Sequence, residues 1–521
     1  MAITPTQRDE VTAHPLADKL PDKAVERCPD KPAGQLLPQS GAAKQFSPAW
    51  RQTLCAASSI LLTLTAGLTS GYSAVLLPQL KEPGSAVPGD TDSASWIAAA
   101  AALPMAPGCL AAGWLMERAG RRRAHLLLCA PFLLGWALVA AAGGLPVMLA
   151  GRMLTGLCVG LLGPLGPVYI AECCEPRLRG VLLAAVSLAI AVGILAAHVL
   201  GTFLHWRLAG ALCAAGPLLA ALLLLAVPES PAWLLARGRT QEAVRAFTWL
   251  RGHGEAAHKE LQALMDKQAA VRDEPAQSLR ERLRALRSPA LLKPLSIMIL
   301  FFVTCQLSGV NAVAFYSVDI VEKSLGRSAQ DDRFRYAAVI AIDVLRVAVS
   351  GAACALCRRV GRRPLCMVSG VAASASLLGL ASLLHWGAGG AWGPLLCLGG
   401  YITAVSVGLV PLPWVMVGEL FPARVRGLGS GLSSATTFAT FFAVVKTAPG
   451  MMSELGAPAT FLLYGSLTLL GTAVLYFVLP ETRGKSLQEI EDRDTEHTRS
   501  FLIIYSRAAK PFCLSVILEY Y

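Results

Sequence analysis

The sequence predicts an all-α, internally duplicated membrane protein with twelve transmembrane helices. Three observations carry that prediction. Hydrophobic residues make up 54% of the 521-residue chain, charged residues only 15%, and the mean hydropathy is +0.53, too apolar for a soluble protein. Crossing about 30 Å of hydrocarbon takes roughly 20 mainly apolar helical residues, and the chain supplies twelve such segments. A charged phrase is also written twice: Glu172, Arg179 and Gly180 recur at the same spacing as Glu419, Arg426 and Gly427. Each copy follows an echo at a polar edge, GRRR from Gly120 and GRRP from Gly361. Function is to be sought between two halves.

In chain order, residues 1–48 are rich in Pro, Lys, Asp and Gln and read as a disordered cytoplasmic tail with no apolar core or cleavage pattern. Six spans follow at 52–80, 94–116, 124–145, 147–170, 180–203 and 208–228. Residues 229–289 carry Glu242, Val244, Phe247, Leu250, Leu261 and Leu264 at amphipathic spacing, which predicts a cytoplasmic helical linker. Six more spans are expected at 290–321, 336–357, 365–386, 392–418, 428–449 and 457–479. Residues 481–521 form a C-terminal tail, whose apolar runs are interrupted by Arg507, Lys510 and Pro511 and cannot span.

Basic loops at Arg118–Arg123, Arg177 with Arg179, Arg358–Arg363, Arg424 with Arg426, and the linker alternate with loops of little net charge. The positive-inside rule puts those loops and both termini in the cytoplasm. The net charge of +12 follows from that topology and requires no nucleic-acid partner. Most of the 14 cysteines lie within apolar segments, as Cys109, Cys158, Cys213 and Cys397 do, and read as free buried thiols. Asn311 is the only asparagine and lies outside any glycosylation sequon.

Carboxylates and guanidinium groups at a membrane edge are costly alone, so the repeated Glu and Arg are expected to pair with neighbouring loops in planar, two-pronged contacts. Arg121 and Arg362 in the basic runs supply cations, and Glu117 and Arg152 sit where a first-half cluster could close. Together with Glu172, Arg179, Glu419 and Arg426 they are read as a cytoplasmic gate that biases alternating access.

The segments PVYIAECCEPRLRG (167–180), GELFPARVRG (418–427), PESPAWLLARGR (228–239), QLSGVNAVAFYS (306–317) and PETRGKSLQEIE (480–491) together resemble the signatures of the sugar porter family of the major facilitator superfamily. The resemblance runs in the family's order over residues 50–495. It implies the major facilitator fold: six-helix bundles at 49–228 and 290–480, rocking about a central sugar site. Within the family, GYSAVLLPQL (71–80), SWIA (95–98), PESPAWLL and CRRVGRRP resemble facilitated trehalose transporters, with facilitative glucose transporters as the neighbouring branch.

A sugar site needs amides, hydroxyls and aromatic faces turned inward. Span 7 offers Gln306, Asn311 and Tyr316. Residues five apart lie about 140° apart on a helix, so the two amides share a face only if the helix breaks, as Ser308 and Gly309 would allow. By resemblance, Gln306 and Asn311 match the family's sugar-binding amides, whereas Cys305 replaces a preceding glutamine. In span 10, Pro411 and Pro413 bend the segment beside Trp414, which matches the family's sugar-stacking tryptophan. Phe438 and Thr437 stand where the family carries tryptophan and asparagine, and Ser187 where it carries glutamine. Arg346 replaces an asparagine. A charge there costs roughly 3 kcal/mol or more unless paired, and Asp343 three residues earlier makes it either an internal ion pair or a sugar contact.

Proton-coupled relatives carry an aspartate after the GY of span 1, where this chain has Ser73. A serine does not titrate, so the resemblance implies facilitated diffusion of trehalose or a related small sugar. The alternatives are a proton symporter working through Asp343 and a sugar sensor that does not cycle. No metal spacing, nucleophile–base set or phosphate loop appears, so neither an enzyme nor a cofactor is expected. A monomer in the cell membrane is expected, with a small-molecule sugar and the lipid bilayer as its partners.

Overall fold

The computed structural model describes residues 47–482 apart from 274–288, 326–331, 389, 391 and 422–425. Most of the expected tails (all but residues 47, 48, 481 and 482), and part of the linker, lie outside the described residues. Twenty helices are present among them, and eleven helices or helix pairs are long and apolar enough to cross a membrane.

The first half is built from α1 (Pro48–Leu80), the broken span α2 (Thr91–Ala102) and α3 (Met105–Ala119), α4 (Arg121–Ala140), α5 (Leu145–Cys173), α6 (Pro176–Phe203), and a sixth span in two pieces, α7 (Trp206–Cys213) and α8 (Ala215–Ala226). Three connecting helices follow: α9 (Pro231–Ala236), α10 (Thr240–Arg251) and α11 (Glu255–Asp273). The second half begins with span 7 in three pieces, α12 (Pro289–Leu307), α13 (Val310–Phe315) and α14 (Ser317–Leu325). It continues with α15 (Asp332–Arg359), α16 (Arg362–Trp386), span 10 as α17 (Trp392–Val407) and α18 (Pro411–Leu420), α19 (Arg426–Glu454) and α20 (Gly456–Val478).

Among the described residues these eleven candidate spans and one shorter apolar helix account for the twelve expected segments. Span 7 registers as the shorter apolar helix Leu291–Leu307 because the chain breaks after it. Gly309 takes φ +82°, a left-handed conformation that L side chains rarely adopt, and a Cβ there would come within 2.7 Å of the Tyr464 ring. Span 10 breaks before Pro411, which lacks the N–H that would continue the helix.

The duplication extends to packing. In the first half, span 1 packs on spans 5 and 6, span 3 on spans 4 and 6, and span 2 on span 4. In the second half, span 7 packs on 11 and 12, span 9 on 10 and 12, and span 8 on 10. Small residues let backbones close in, as membrane helices without a hydrophobic driving force require. A Cβ on Gly67 would lie 2.3 Å from the Ile190 carbonyl oxygen, and one on Gly193 would lie 2.1 Å from that of Leu64.

The connecting helices sit beneath the first half: Arg51 Nη1 donates to the Trp249 carbonyl (2.9 Å), Gln52 Nε2 to Leu250 (3.2 Å) and Arg251 Nη1 to Cys173 (2.8 Å). They define a linker face of the molecule. The opposite end is the far face.

The two halves meet through α6 against α15, α2 and α3 against α19, and α1 against α13 and α14. Among the described residues, two ion pairs join them, Lys81 with Asp319 (3.2 Å) and Lys446 with Asp92 (3.5 Å), and so does the hydrogen bond between His198 and Asp343, all toward the far face.

Candidate functional site

The linker face carries the duplicated charges, arranged twice in the same way. In the first half Glu172 accepts from Arg121 Nη2 (2.8 Å) and from the Ser230 hydroxyl. In the second half Glu419 accepts from Arg362 Nη2 (2.9 Å) and from the Thr482 hydroxyl (2.6 Å).

A second carboxylate in each half caps a helix. Glu229 accepts from the backbone N–H groups of Arg121 (2.8 Å) and Arg122 (2.9 Å) at the start of α4. Glu481 accepts from those of Arg362 (3.0 Å) and Arg363 (3.1 Å) at the start of α16. These are orphan donors at a positive helix end, where an anion is favoured. Sequence reading passed over Glu229 and Glu481, although PES and PET at the close of each half repeat as clearly as the GRR phrases.

Each of these carboxylates is satisfied within its own half, so the contacts expected to lock one bundle to the other instead brace each bundle internally. Two further expectations change. Arg152 does not belong to this cluster: it is fully buried toward the far face, with Nη2 donating to Ser73 Oγ (2.5 Å), Nη1 to the Thr69 carbonyl (3.0 Å) and Nε to that of Ile97 (3.3 Å). Glu117 contributes only its carbonyl, which accepts from Trp233 Nε1 (3.0 Å) and from Arg237, while its side chain is exposed. Arg179 Nη2 donates to the Cys174 carbonyl (3.2 Å), and the side chain of Arg426 lies outside the described residues.

At mid-depth the break at Gly309 does what the residue spacing required. It folds Asn311 back so that its Nδ2 donates to Gln306 Oε1 (2.5 Å), with Gln306 buried and Asn311 partly exposed. Trp414 stands 41% exposed, its ring 5.0 Å from Phe302 edge-on and 6.3 Å from Phe438. Phe438 in turn approaches α5 of the other half, 3.5 Å from where a Cβ on Gly163 would sit. Amides and an aromatic wall thus flank the seam between the halves.

Ser187 is half-buried on α6. Thr437 is buried and donates to the Ser433 carbonyl of its own helix (3.0 Å). The Tyr316 hydroxyl is engaged away from Gln306 and Asn311: it donates to the Val445 carbonyl (3.1 Å), tying the junction of α13 and α14 to α19.

Arg346 is buried and lies 3.8 Å from Asp343, as the spacing predicted. What the sequence did not reveal is that Asp343 also accepts from His198 Nδ1 of the other half. A lone histidine in an apolar span was the available signal.

Two six-helix halves repeating one packing scheme, with a broken amide-bearing helix and an aromatic wall at their seam, have the architecture of the major facilitator fold. The chain belongs to the family described as sugar (and other) transporter, whose model matches residues 53–493. It is 33% identical over 449 residues to a facilitated trehalose transporter of Drosophila virilis, covering 85% of this chain and 48% of that one. A relative of the same description in Drosophila yakuba is 33% identical, with 85% and 52% covered. The chain spans about half the length of the curated relatives it matches. Among solved structures, the proton:xylose symporter XylE bound to 6-bromo-6-deoxy-D-glucose has the same fold, with a TM-score of 0.71 at 21% identity over 85% of this chain and 99% of that one. The inward-open form of XylE from E. coli gives 0.69, also at 21% identity.

Proposed function

We propose that the protein is a facilitative transporter moving trehalose or a related small sugar across the cell membrane by alternating access, with both termini cytoplasmic. The observation that carries the uniport reading is Arg152 donating to Ser73: the cation's side-chain partner in span 1 is a hydroxyl, which neither binds nor releases a proton between pH 5 and 8. Gln306, Asn311, Trp414, Phe438, Thr437, Ser187 and Arg346 line the route of the sugar along the seam. The amides supply donors and acceptors for its hydroxyls, and the rings supply a face for its apolar side.

The far-face contacts between halves, beside linker-face carboxylates satisfied within each half, support an inward-facing state. The description of the Drosophila relatives supports trehalose as the first substrate to test.

The test is uptake of labelled trehalose and glucose into proteoliposomes with and without an imposed pH gradient. Uptake should equilibrate without a gradient and should not accumulate with one. Gradient-driven accumulation would establish a symporter, and binding without flux a sensor.

A further inference from the structure

We propose that His198 is the latch that holds the far side of the two halves together, and that the conformational cycle must break it. This rests on the alternating access of the proposed function.

His198 lies near the far end of α6 and is 1% exposed. It reaches two elements of the other half at once. Nδ1 donates to Asp343 Oδ2 on α15, and Nε2 lies 3.3 Å from Ser317 Oγ at the start of α14. Asp343 is itself 1% exposed, and its second oxygen faces Arg346. Both oxygens of the carboxylate and both nitrogens of the imidazole therefore have partners, and those partners span α6, α14 and α15.

The two ion pairs described between the halves are of a different kind. The Lys81 side chain is 52% exposed and that of Asp92 is 80% exposed, so water can replace either contact at little cost. The His198–Asp343 contact is sealed. Parting α6 from α15 leaves a charged carboxylate and an imidazole to be rehydrated, and a charge-assisted hydrogen bond is among the stronger single contacts available. Of the charged contacts described between the halves this is the sealed one, and it joins directly to Arg346 in the wall of the seam. A sugar hydroxyl that engages Arg346 competes with Asp343 and loosens the latch from within.

The test is hydrogen–deuterium exchange of the full chain in lipid, comparing far-face and linker-face ends of spans 1, 5, 7 and 8 in the absence of any sugar. His198→Ala should raise exchange at the far-face ends, on the order of tenfold for a lost charge-assisted contact, and slow it at the linker-face ends. His198→Asn, whose amide carries an N–H close to the place of Nδ1, should restore the original pattern. An unchanged pattern in His198→Ala, or the same change in His198→Asn, would overturn the proposal. Should His198→Ala loosen both ends alike, Ser317→Ala decides: faster exchange at the far face alone supports the latch, and no change overturns it. Because no sugar enters the measurement, failure of the latch and failure of the sugar-transport reading are distinguishable.

Discussion

Glu229 and Glu481 perform the same task in the two halves. Each carboxylate closes over the backbone N–H groups that begin the third span of its half, and each leaves no room for a side chain at the glycine before it. A Cβ on Gly120 would lie 2.5 Å from Glu229 Oε2, and one on Gly361 would lie 2.4 Å from Glu481 Oε2. The GRR phrase and the PES or PET phrase are therefore two sides of one contact.

That equivalence breaks in one respect, which yields a prediction. Gly120 has φ +90° whereas Gly361 has φ −63°. Alanine at either site displaces the capping carboxylate, but only at Gly120 does it add about 1–2 kcal/mol of left-handed backbone strain. Gly120→Ala should lower the melting temperature in detergent more than Gly361→Ala. Equal losses would refute the role of the backbone.

Ser73→Asp should convert the Arg152 contact into a buried ion pair with a titratable member, at an existing 2.5 Å contact. An inward proton gradient should then accelerate sugar uptake by the variant and leave the original protein unaffected. A variant indifferent to the gradient would show that Ser73 does not explain the absence of coupling.

Asn311→Ala removes the amide held against Gln306 and, with it, about one net hydrogen bond to the sugar, near 1 kcal/mol. The expected result is a rise in KM of about fivefold with a small change in melting temperature. Trp414→Ala should raise KM similarly, while Trp414→Phe keeps the ring face and most of the affinity. Unchanged KM in both alanine variants would remove these residues from the sugar route.

Asp90 caps the far-face helix α2. The Ser93 hydroxyl and the Ser93 N–H, 3.1 Å away, hold its carboxyl below the usual carboxylate range. A depressed value means stability that is present above the usual carboxylate range and lost as pH falls from that range through the lowered value. Asp90→Ala should therefore melt slightly lower than the original protein at pH 7, and the two should converge on acidification. A difference independent of pH would mean that the charge takes no part in the cap.

Much of this was legible in the sequence. Segment positions were readable because hydropathy along a span is a local property, and the break at Gly309 was readable because two amides five residues apart cannot otherwise share a face. Arg152 was misplaced for a reason that was also local. It lies 20 residues before Glu172 on the same helix, α5, which separates the two by about 30 Å along its axis and excludes a common cluster. Glu117 was misassigned because its carbonyl, not its carboxylate, is what the connecting helices contact.

The sequence by itself determined the twelve segments, their duplication, the family and the chemical types of the residues along the seam. The segments and their duplication follow from the periodicity and order of residues along one chain, and the family from the motifs that resemble its signatures. The tertiary structure alone decided which charges meet between different spans. His198 and Asp343 are 145 residues apart and in different halves, and no spacing rule connects them. Glu172 and Glu419 are each satisfied inside their own half because the packing of spans, not the repetition of a phrase, determines which guanidinium lies within reach of which carboxylate.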